Sequence, residues 1–172
     1  MRGQPSALLT TKGFTLVELV IALVLVGILS ALGVGLLVSP GAYSASAARD
    51  QFLSSALLAQ KQALADTSTT YALSIRQYED QWCFHVAASS DASCNAGQEG
   101  ARLAAREGAT LQNNPGTLYF RSGQRVDAGG SPLPVGNSVN LTFTGANGGN
   151  SHSVCVSSSG LAYAGSCVDG DA

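Results

Sequence analysis

An apolar run of 25 residues near the start of the chain constrains its fold more than any other feature. The run extends from Phe14 to Val38, reads FTLVELVIALVLVGILSALGVGLLV, and carries a single charge, at Glu18. A bilayer core takes about 20 apolar residues as a helix, and lipid requires the backbone to bond internally. The run therefore predicts one membrane-spanning helix. Arg2 and Lys12 precede it, and this positive flank predicts a cytoplasmic start with residues from 39 onward exported.

The remaining composition argues against several classes of protein. Only 12% of the 172 residues are charged, against about 25% in a typical soluble domain. The formal net charge of −2 provides no overall attraction for nucleic acid or an anionic surface. The sequence contains two histidines and no P-loop, dinucleotide fingerprint or G-x-S-x-G elbow. We therefore expect no enzyme, no cofactor and no metal site.

Glu18 is not explained by a plain membrane anchor. A carboxylate at the centre of an apolar helix costs about 2.5–3.5 kcal/mol, so its presence predicts a cationic partner. Cleavage of the chain after Gly13 would create a positive amine on Phe14. That amine would lie about one turn from Glu18 in the same helix, and it could pair with the glutamate of a parallel neighbouring helix.

Residues 12–19, KGFTLVEL, resemble the type III (class 3) signal of type IV pilins and type II secretion pseudopilins. The resemblance implies that a prepilin peptidase cuts between Gly13 and Phe14 and methylates the new Phe14 amine. It also implies that Glu18 neutralises the Phe14 amine of a neighbouring subunit during assembly. The implied partners are other major and minor pilins in a helical filament and an inner-membrane assembly platform. The implied location is the bacterial inner membrane, with the C-terminal domain in the periplasm, and then the filament.

The apolar run contains a regular row of small residues. Gly27, Ala31 and Gly35 recur at four-residue intervals, so they share one face of the predicted helix. Small residues at this spacing let helix backbones approach closely in lipid. We expect this face to pack against neighbouring helices, although glycine is also common in membrane helices without such a role.

The sequence after the apolar run predicts a helix followed by strands. Beyond a local breaker at Pro40-Gly41, residues 44–65 regain a helical period. One face of this helix carries an apolar row that suits close packing on a sheet: Phe52, Ala56, Ala59 and Ala63. Alternating apolar residues predict six strands, at 70–76, 81–87, 117–121, 139–144, 153–156 and 161–164. Polar loops are predicted at 88–116 and 127–138.

The predicted fold class is α+β and pilin-like, with a long N-terminal helix packed on a small antiparallel sheet. Four segments make up the predicted organisation: a leader at 1–13, a membrane and filament-core helix at 14–38, an amphipathic continuation at 39–66 and an exported β-rich domain at 67–172.

Four cysteines support an exported domain. Cys83 and Cys94 are 11 residues apart, and Cys155 and Cys167 are 12 apart. Four cysteines allow three pairings, of which we favour the two local ones. A zinc site is the alternative, but the chain has no C-x₂-C pair. Disulfides fit an export route out of the cytoplasm.

The C-terminal half resembles the H-type pseudopilin domain at 118–123, 139–143 and 154–160. The resemblance implies a helix packed on two small β-sheets. Residues 50–53 and 59–63 are also similar to the helix of this group. With the cysteine pairs, these features favour a minor pilin of a mannose-sensitive-haemagglutinin type pilus, which helps to initiate or complete the filament. The H-type component of a type II secretion pseudopilus is the alternative.

A DNA-binding minor pilin is a second alternative within the resemblance. In such relatives a Gly-Arg-x-Arg element on the C-terminal strand carries the basic residues, and the matching stretch here is GLAY at 160–163. Two basic pairs remain elsewhere: Arg121 with Arg125, and Arg102 with Arg106 at helical spacing. We expect no nucleic-acid partner. The two histidines, His85 and His152, are expected on strand surfaces.

Overall fold

A computed structural model describes residues 15–36, 40–91, 93–95, 97 and 99–168. The side chains of residues 31–36 and 40–42 lie outside this description. The chain divides into two compact units between residues 38 and 39. The predicted leader, 1–13, lies outside the described residues.

The first unit contains helix α1, Leu16–Leu36. Its described side chains are exposed on every face, with Leu16 at 80% and Leu29 at 68%. Within the described residues, no helix combines the length and the hydropathy that crossing a membrane requires. The predicted span at 14–38 includes positions outside the description, and it stays a prediction.

The second unit begins with helix α2, Pro40–Ala65. The helix begins four residues before the predicted 44–65, so the predicted breaker Pro40-Gly41 lies at the start of α2. Proline fits the first helical position, where its missing N–H has no intrahelical partner. The predicted apolar row is confirmed, since all four of its side chains are fully buried. After the helix, the Asp66 carboxylate accepts bonds from the Ser68 amide at 3.0 Å and the Ser68 hydroxyl at 2.6 Å.

Helix α2 packs across two antiparallel sheets rather than the single sheet expected from periodicity. The described residues form nine strands: β1 Tyr71–Gln77, β2 Gln81–Ala88, β3 Arg102–Ala105, β4 Thr110–Gln112, β5 Thr117–Arg121, β6 Gln124–Val126, β7 Val139–Thr144, β8 Ser151–Val156 and β9 Ala162–Ala164. Sheet A has the order β3-β2-β1-β5-β6, and sheet B has the order β4-β7-β8-β9. Two sheets under one helix are what the H-type resemblance implies.

The predicted strands at 117–121 and 139–144 are confirmed with their bounds, and the other four differ at their ends. Strands β3 and β4 lie within the predicted loop 88–116, and β6 was not predicted. These three strands are short, and two of the four residues of β3 are alanines, which have low intrinsic strand preference. Pairing with β2, β7 and β5 holds them in place.

A cluster of aromatic rings joins the helix to both sheets. The Phe52 ring of α2 lies 5.9 Å from Phe84 of sheet A and 6.1 Å from Phe143 of sheet B, centroid to centroid. Trp82 of sheet A meets Phe143 edge to face at 5.7 Å. All four side chains are fully buried. The alanines beside Phe52 let the helix backbone come close enough for these contacts.

Candidate functional site

The start of α1 is a capped helix terminus. Thr15 immediately precedes the helix, and its hydroxyl oxygen accepts a hydrogen bond from the Glu18 amide at 3.3 Å. The Thr15 carbonyl accepts bonds from the amides of Glu18 at 3.1 Å and Leu19 at 3.2 Å. A threonine followed three residues later by a glutamate is the capping-box spacing. The cap thus fixes where the helix begins relative to Glu18.

Glu18 occupies the first turn of α1, where the helix dipole favours a negative charge. Its side chain is exposed, and the side chains of the following turns are apolar and exposed as well. No described residue forms an ion pair with the Glu18 carboxylate. The carboxylate of Glu18 therefore lies at the N-terminal end of an apolar helix. In this position it can pair with a positive charge from another segment or another molecule.

Several residues of the predicted site lie outside the description. Gly13 and Phe14 are not described, nor are the side chain of Ala31 and the surroundings of Gly35. Gly27 is described, and an added Cβ there meets no atom within 4 Å. Leader cleavage, methylation and helix packing therefore stay predictions.

The second unit holds two disulfides, Cys83–Cys94 and Cys155–Cys167. These are the two local pairs that the spacing favours. Cys83 and Cys94 are buried, and the Tyr78 hydroxyl donates to the Cys94 carbonyl at 2.6 Å. The first disulfide therefore holds the segment after β2 against sheet A.

The structure changes the interpretation of the basic residues. Arg125 is only 6% exposed, and its guanidinium donates to the carbonyls of Asn137 at 2.8 Å and Val156 at 3.1 Å. Burial lowers the pKa of Arg125 below its ordinary value. It is therefore not part of an exposed basic pair with Arg121, as the sequence suggested.

The second expected basic pair is also wrong, because Arg102 lies on strand β3 and not on a helix. Arg106 donates to the carbonyls of Ala109 at 2.8 Å and Tyr78 at 3.1 Å. These bonds fasten the β3–β4 turn to the β1–β2 turn. Arg106 thus has a structural role, and the two arginines do not form a phosphate-binding face.

His85 is buried at 5% exposure, so its expected place on a strand surface is wrong. It shares a face of β2 with Cys83, and the disulfide holds Cys94 over that face. No bond partner of its Nδ1 is present among the described residues. His152 is half-buried in β8. No group of three or more histidine, cysteine, aspartate or glutamate side chains in the described part of the chain is arranged to hold a metal ion.

Gly123 is a junction that sequence analysis missed. It lies in the β5–β6 turn with φ of 77°, and its carbonyl accepts a bond from Gln60 of α2 at 3.3 Å. A Cβ on Gly123 would collide with Leu64, and one on Gly160 would collide with the Gly123 carbonyl. Helix α2 and both sheets therefore meet at this turn. The Ser122-Gly123 pair directly after the predicted strand 117–121 was the available signal.

Comparison with known families supports the interpretation of the N-terminus. Residues 10–34 match the family model of the prokaryotic N-terminal methylation motif. The matched range includes Gly13, Phe14, Thr15 and Glu18. No curated protein and no solved structure matches the chain significantly. The match supports a type IV pilin-like or pseudopilin protein.

Proposed function

We propose that the chain is a minor pilin that a prepilin peptidase processes and that helps to initiate or complete a type IV filament. The observation that carries this proposal is the methylation-motif match over residues 10–34, with Glu18 on the first turn of an exposed apolar helix. The α+β body with its two disulfides is in keeping with an exported pilin domain.

The proposed processing creates a cationic partner for Glu18. Water cleaves the Gly13–Phe14 peptide bond, which leaves a carboxylate on Gly13 and a positive amine on Phe14. Methylation of that amine keeps its positive charge at neutral pH. During assembly the Phe14 amine of one subunit pairs with Glu18 of a neighbour, in a low-dielectric surround that strengthens the attraction. The capping bond from Thr15 sets the position of Glu18 for this pairing.

Intact mass of the native protein tests the processing step. We expect a chain of residues 14–172 that carries one added methyl group. In a strain without the peptidase the chain should begin at Met1. A chain that begins at Met1 in cells with active peptidase would contradict the proposal.

Substitution of Glu18 tests the assembly step. Glu18→Ala should leave membrane insertion intact, because removal of a charge from an apolar helix eases insertion. It should reduce incorporation into sheared filaments, since a neighbouring Phe14 amine loses its partner. Glu18→Asp is the matched control, because it keeps the charge and should retain partial incorporation. Equal incorporation of Glu18→Ala and wild type would refute the pairing.

We further propose that the filament is a mannose-sensitive-haemagglutinin type pilus. The two local disulfides and the helix sequence at 50–63 support this choice. Deletion of the gene should then lower the number of pili per cell and leave export of folded proteins unchanged. A loss of protein secretion with normal pili would instead favour the H-type secretion component.

A structural role without catalysis or DNA binding completes the proposal. Arg125 is buried and Arg106 is bonded to carbonyls, so neither is available for phosphates. Gel-shift titration of the full chain in detergent, across a range of salt concentrations, should show no specific DNA complex. Micromolar binding that weakens with salt and is lost in Arg121→Ala would contradict this expectation.

A further inference from the structure

Strand β3 has an open edge. It pairs with β2 on one side only and is the terminal strand of sheet A. The Arg106 amide donates to the Asp80 carbonyl at 2.8 Å, so the backbone groups of Arg106 point toward β2. In an antiparallel pair, every second residue directs its backbone groups toward the partner strand. By that alternation the amides and carbonyls of Leu103 and Ala105 point away from β2. Neither residue has a backbone partner on that side among the described residues.

An apolar notch lies beside this edge. Its volume is about 280 Å³, and its lining residues come from the start of α2 and the end of β3: Tyr43, Ser44, Ala47, Ala105 and Glu107. The Tyr43 ring is 67% exposed, so it is accessible to an added strand. A strand added to the β3 edge would run past the notch and could place one side chain in it.

The edge carries opposite charges at its two ends. Arg102 is exposed at one end, where its Nη1 donates to the Ser54 hydroxyl at 2.9 Å. Glu107 is exposed at the other end, just beyond β3. No described residue forms an ion pair with either. An added strand is therefore favoured when it brings an acid to Arg102 and a base to Glu107.

We propose that the β3 edge and the adjoining notch form a strand-addition site for another protein. The occupant is an extended segment that runs antiparallel to β3, as every pair in both sheets does. It carries a base at its start, an apolar residue for the notch and an acid at its end. Main-chain bonds to Leu103 and Ala105 provide affinity, and the notch and the charges provide selection.

Charge disfavours one pairing of β3 with the β3 edge of a second copy. In the register that pairs Leu103 with Ala105 of a second copy, Arg102 lies opposite Arg106. Like charges directly opposite each other in a sheet are destabilising. The charges of β3 therefore disfavour this self-pairing, whereas a strand with complementary charges can still pair with the edge.

A peptide probe tests the site on the full chain in detergent micelles. The probe is acetyl-Lys-Val-Thr-Leu-Thr-Glu-amide, which places its glutamate opposite Arg102. Hydrogen exchange at the amides of Leu103 and Ala105 should slow by about tenfold at saturation, as expected for one net backbone hydrogen bond. The same peptide with N-methyl groups on its third and fifth residues is the control and should give no protection. Absence of protection with millimolar unmodified peptide overturns the proposal.

A charge swap provides a second variant that does not depend on the strand backbone. Arg102→Glu should weaken binding of the probe peptide, because two acids then lie opposite each other. In this variant, a peptide with its terminal lysine and glutamate exchanged should regain the favourable charge pair at position 102. Its glutamate then lies opposite Glu107, and this contact should weaken its binding. If Arg102→Glu leaves the affinity of both peptides unchanged, the charge selection is wrong. Protection of the edge at high protein concentration without peptide would show that a second copy is the occupant and would overturn the choice of partner.

That the added strand belongs to another filament subunit rests on the proposed function. An experiment on filaments separates the strand-addition site from that proposed function. Leu103→Pro removes the outward N–H, whereas Leu103→Ala keeps it and is the matched control. We expect Leu103→Pro to lower incorporation into sheared filaments and Leu103→Ala to have little effect. Normal incorporation of Leu103→Pro, together with failure of Glu18→Ala, would overturn the strand-addition site alone. Normal incorporation of both Leu103→Pro and Glu18→Ala would overturn the proposed function as well.

Discussion

Truncation of Phe52 is the sharpest test of how the second unit is held together. The Phe52 ring is fully buried and lies against Phe84 of one sheet and Phe143 of the other. Phe52→Ala removes the ring and leaves a cavity at the point where α2 and both sheets meet. Phenylalanine truncations in cores cost about 3–5 kcal/mol, and each aromatic pair accounts for about 0.5–1.5 kcal/mol of such a loss. We expect a cost of about 4 kcal/mol, because two sheets and a helix cannot all move to fill the cavity.

Guanidinium unfolding of the full chain in detergent measures this cost. Trp82 is the single tryptophan of the chain and touches Phe143, so its fluorescence reports contact between the sheets. Far-ultraviolet circular dichroism follows the strands and α2. Since domains of this size are stable by about 5–15 kcal/mol, a loss of about 4 kcal/mol shifts the midpoint far beyond experimental error.

Leu57→Ala is the matched control for Phe52→Ala. Leu57 lies on the same helix but is 40% exposed, and its truncation should cost no more than about 1–2 kcal/mol. Equal losses in the two variants would refute the claim that the buried row of α2 holds the sheets. Separate transitions of fluorescence and circular dichroism would show that the two sheets do not unfold as one body.

Three further predictions concern the same unit. Replacement of Cys83 and Cys94 by alanine should lower the free energy of unfolding by about 2–3 kcal/mol, and non-reducing peptide maps of wild type should show the linked pair. Arg125→Met should cost about 3 kcal/mol in the same assay, because two buried carbonyls lose their donor. Hydrogen bonds from the hydroxyls of Ser68 and Thr69 lower the pKa of Asp66 to about 2. The stabilisation by its charged form is therefore complete above about pH 4 and lost as the pH falls toward 2. Asp66→Asn should remove that part of the acid sensitivity, and acid titrations followed by Trp82 fluorescence would show it.

The parts of the fold that the sequence predicted are those with a strong period. The buried row of α2 repeats at helical spacing, and β5 and β7 alternate apolar and polar residues between clear turn signals. In these segments local pattern and final burial agree. The cap at Thr15 was not predicted, although its three-residue spacing from Glu18 is a capping signal.

The parts that the sequence did not predict depend on distant neighbours. Arg125 was expected to be a surface charge, but its guanidinium donates to the carbonyls of Asn137 and Val156 from two other segments. His85 was expected to face solvent, but the disulfide to Cys83 holds Cys94 over the same face of β2. In each case the side chain type favours exposure, and a second segment supplies the cover. No local pattern records where that segment comes from.

Strand β3 has a weak sequence signal and an unpaired edge, and both follow from its dependence on neighbouring strands. Its two alanines have little intrinsic preference for a strand, so pairing with β2 keeps it extended. A strand held from one side leaves half of its backbone groups without a protein partner. Edge strands of this kind are commonly protected by shortness and by charge, and β3 has four residues with Arg102 at its start. These features limit unselective pairing but not the addition of a complementary strand. The weak sequence signal and the proposed docking edge therefore have one cause, which is that β3 is stabilised by its neighbours more than by its own residues.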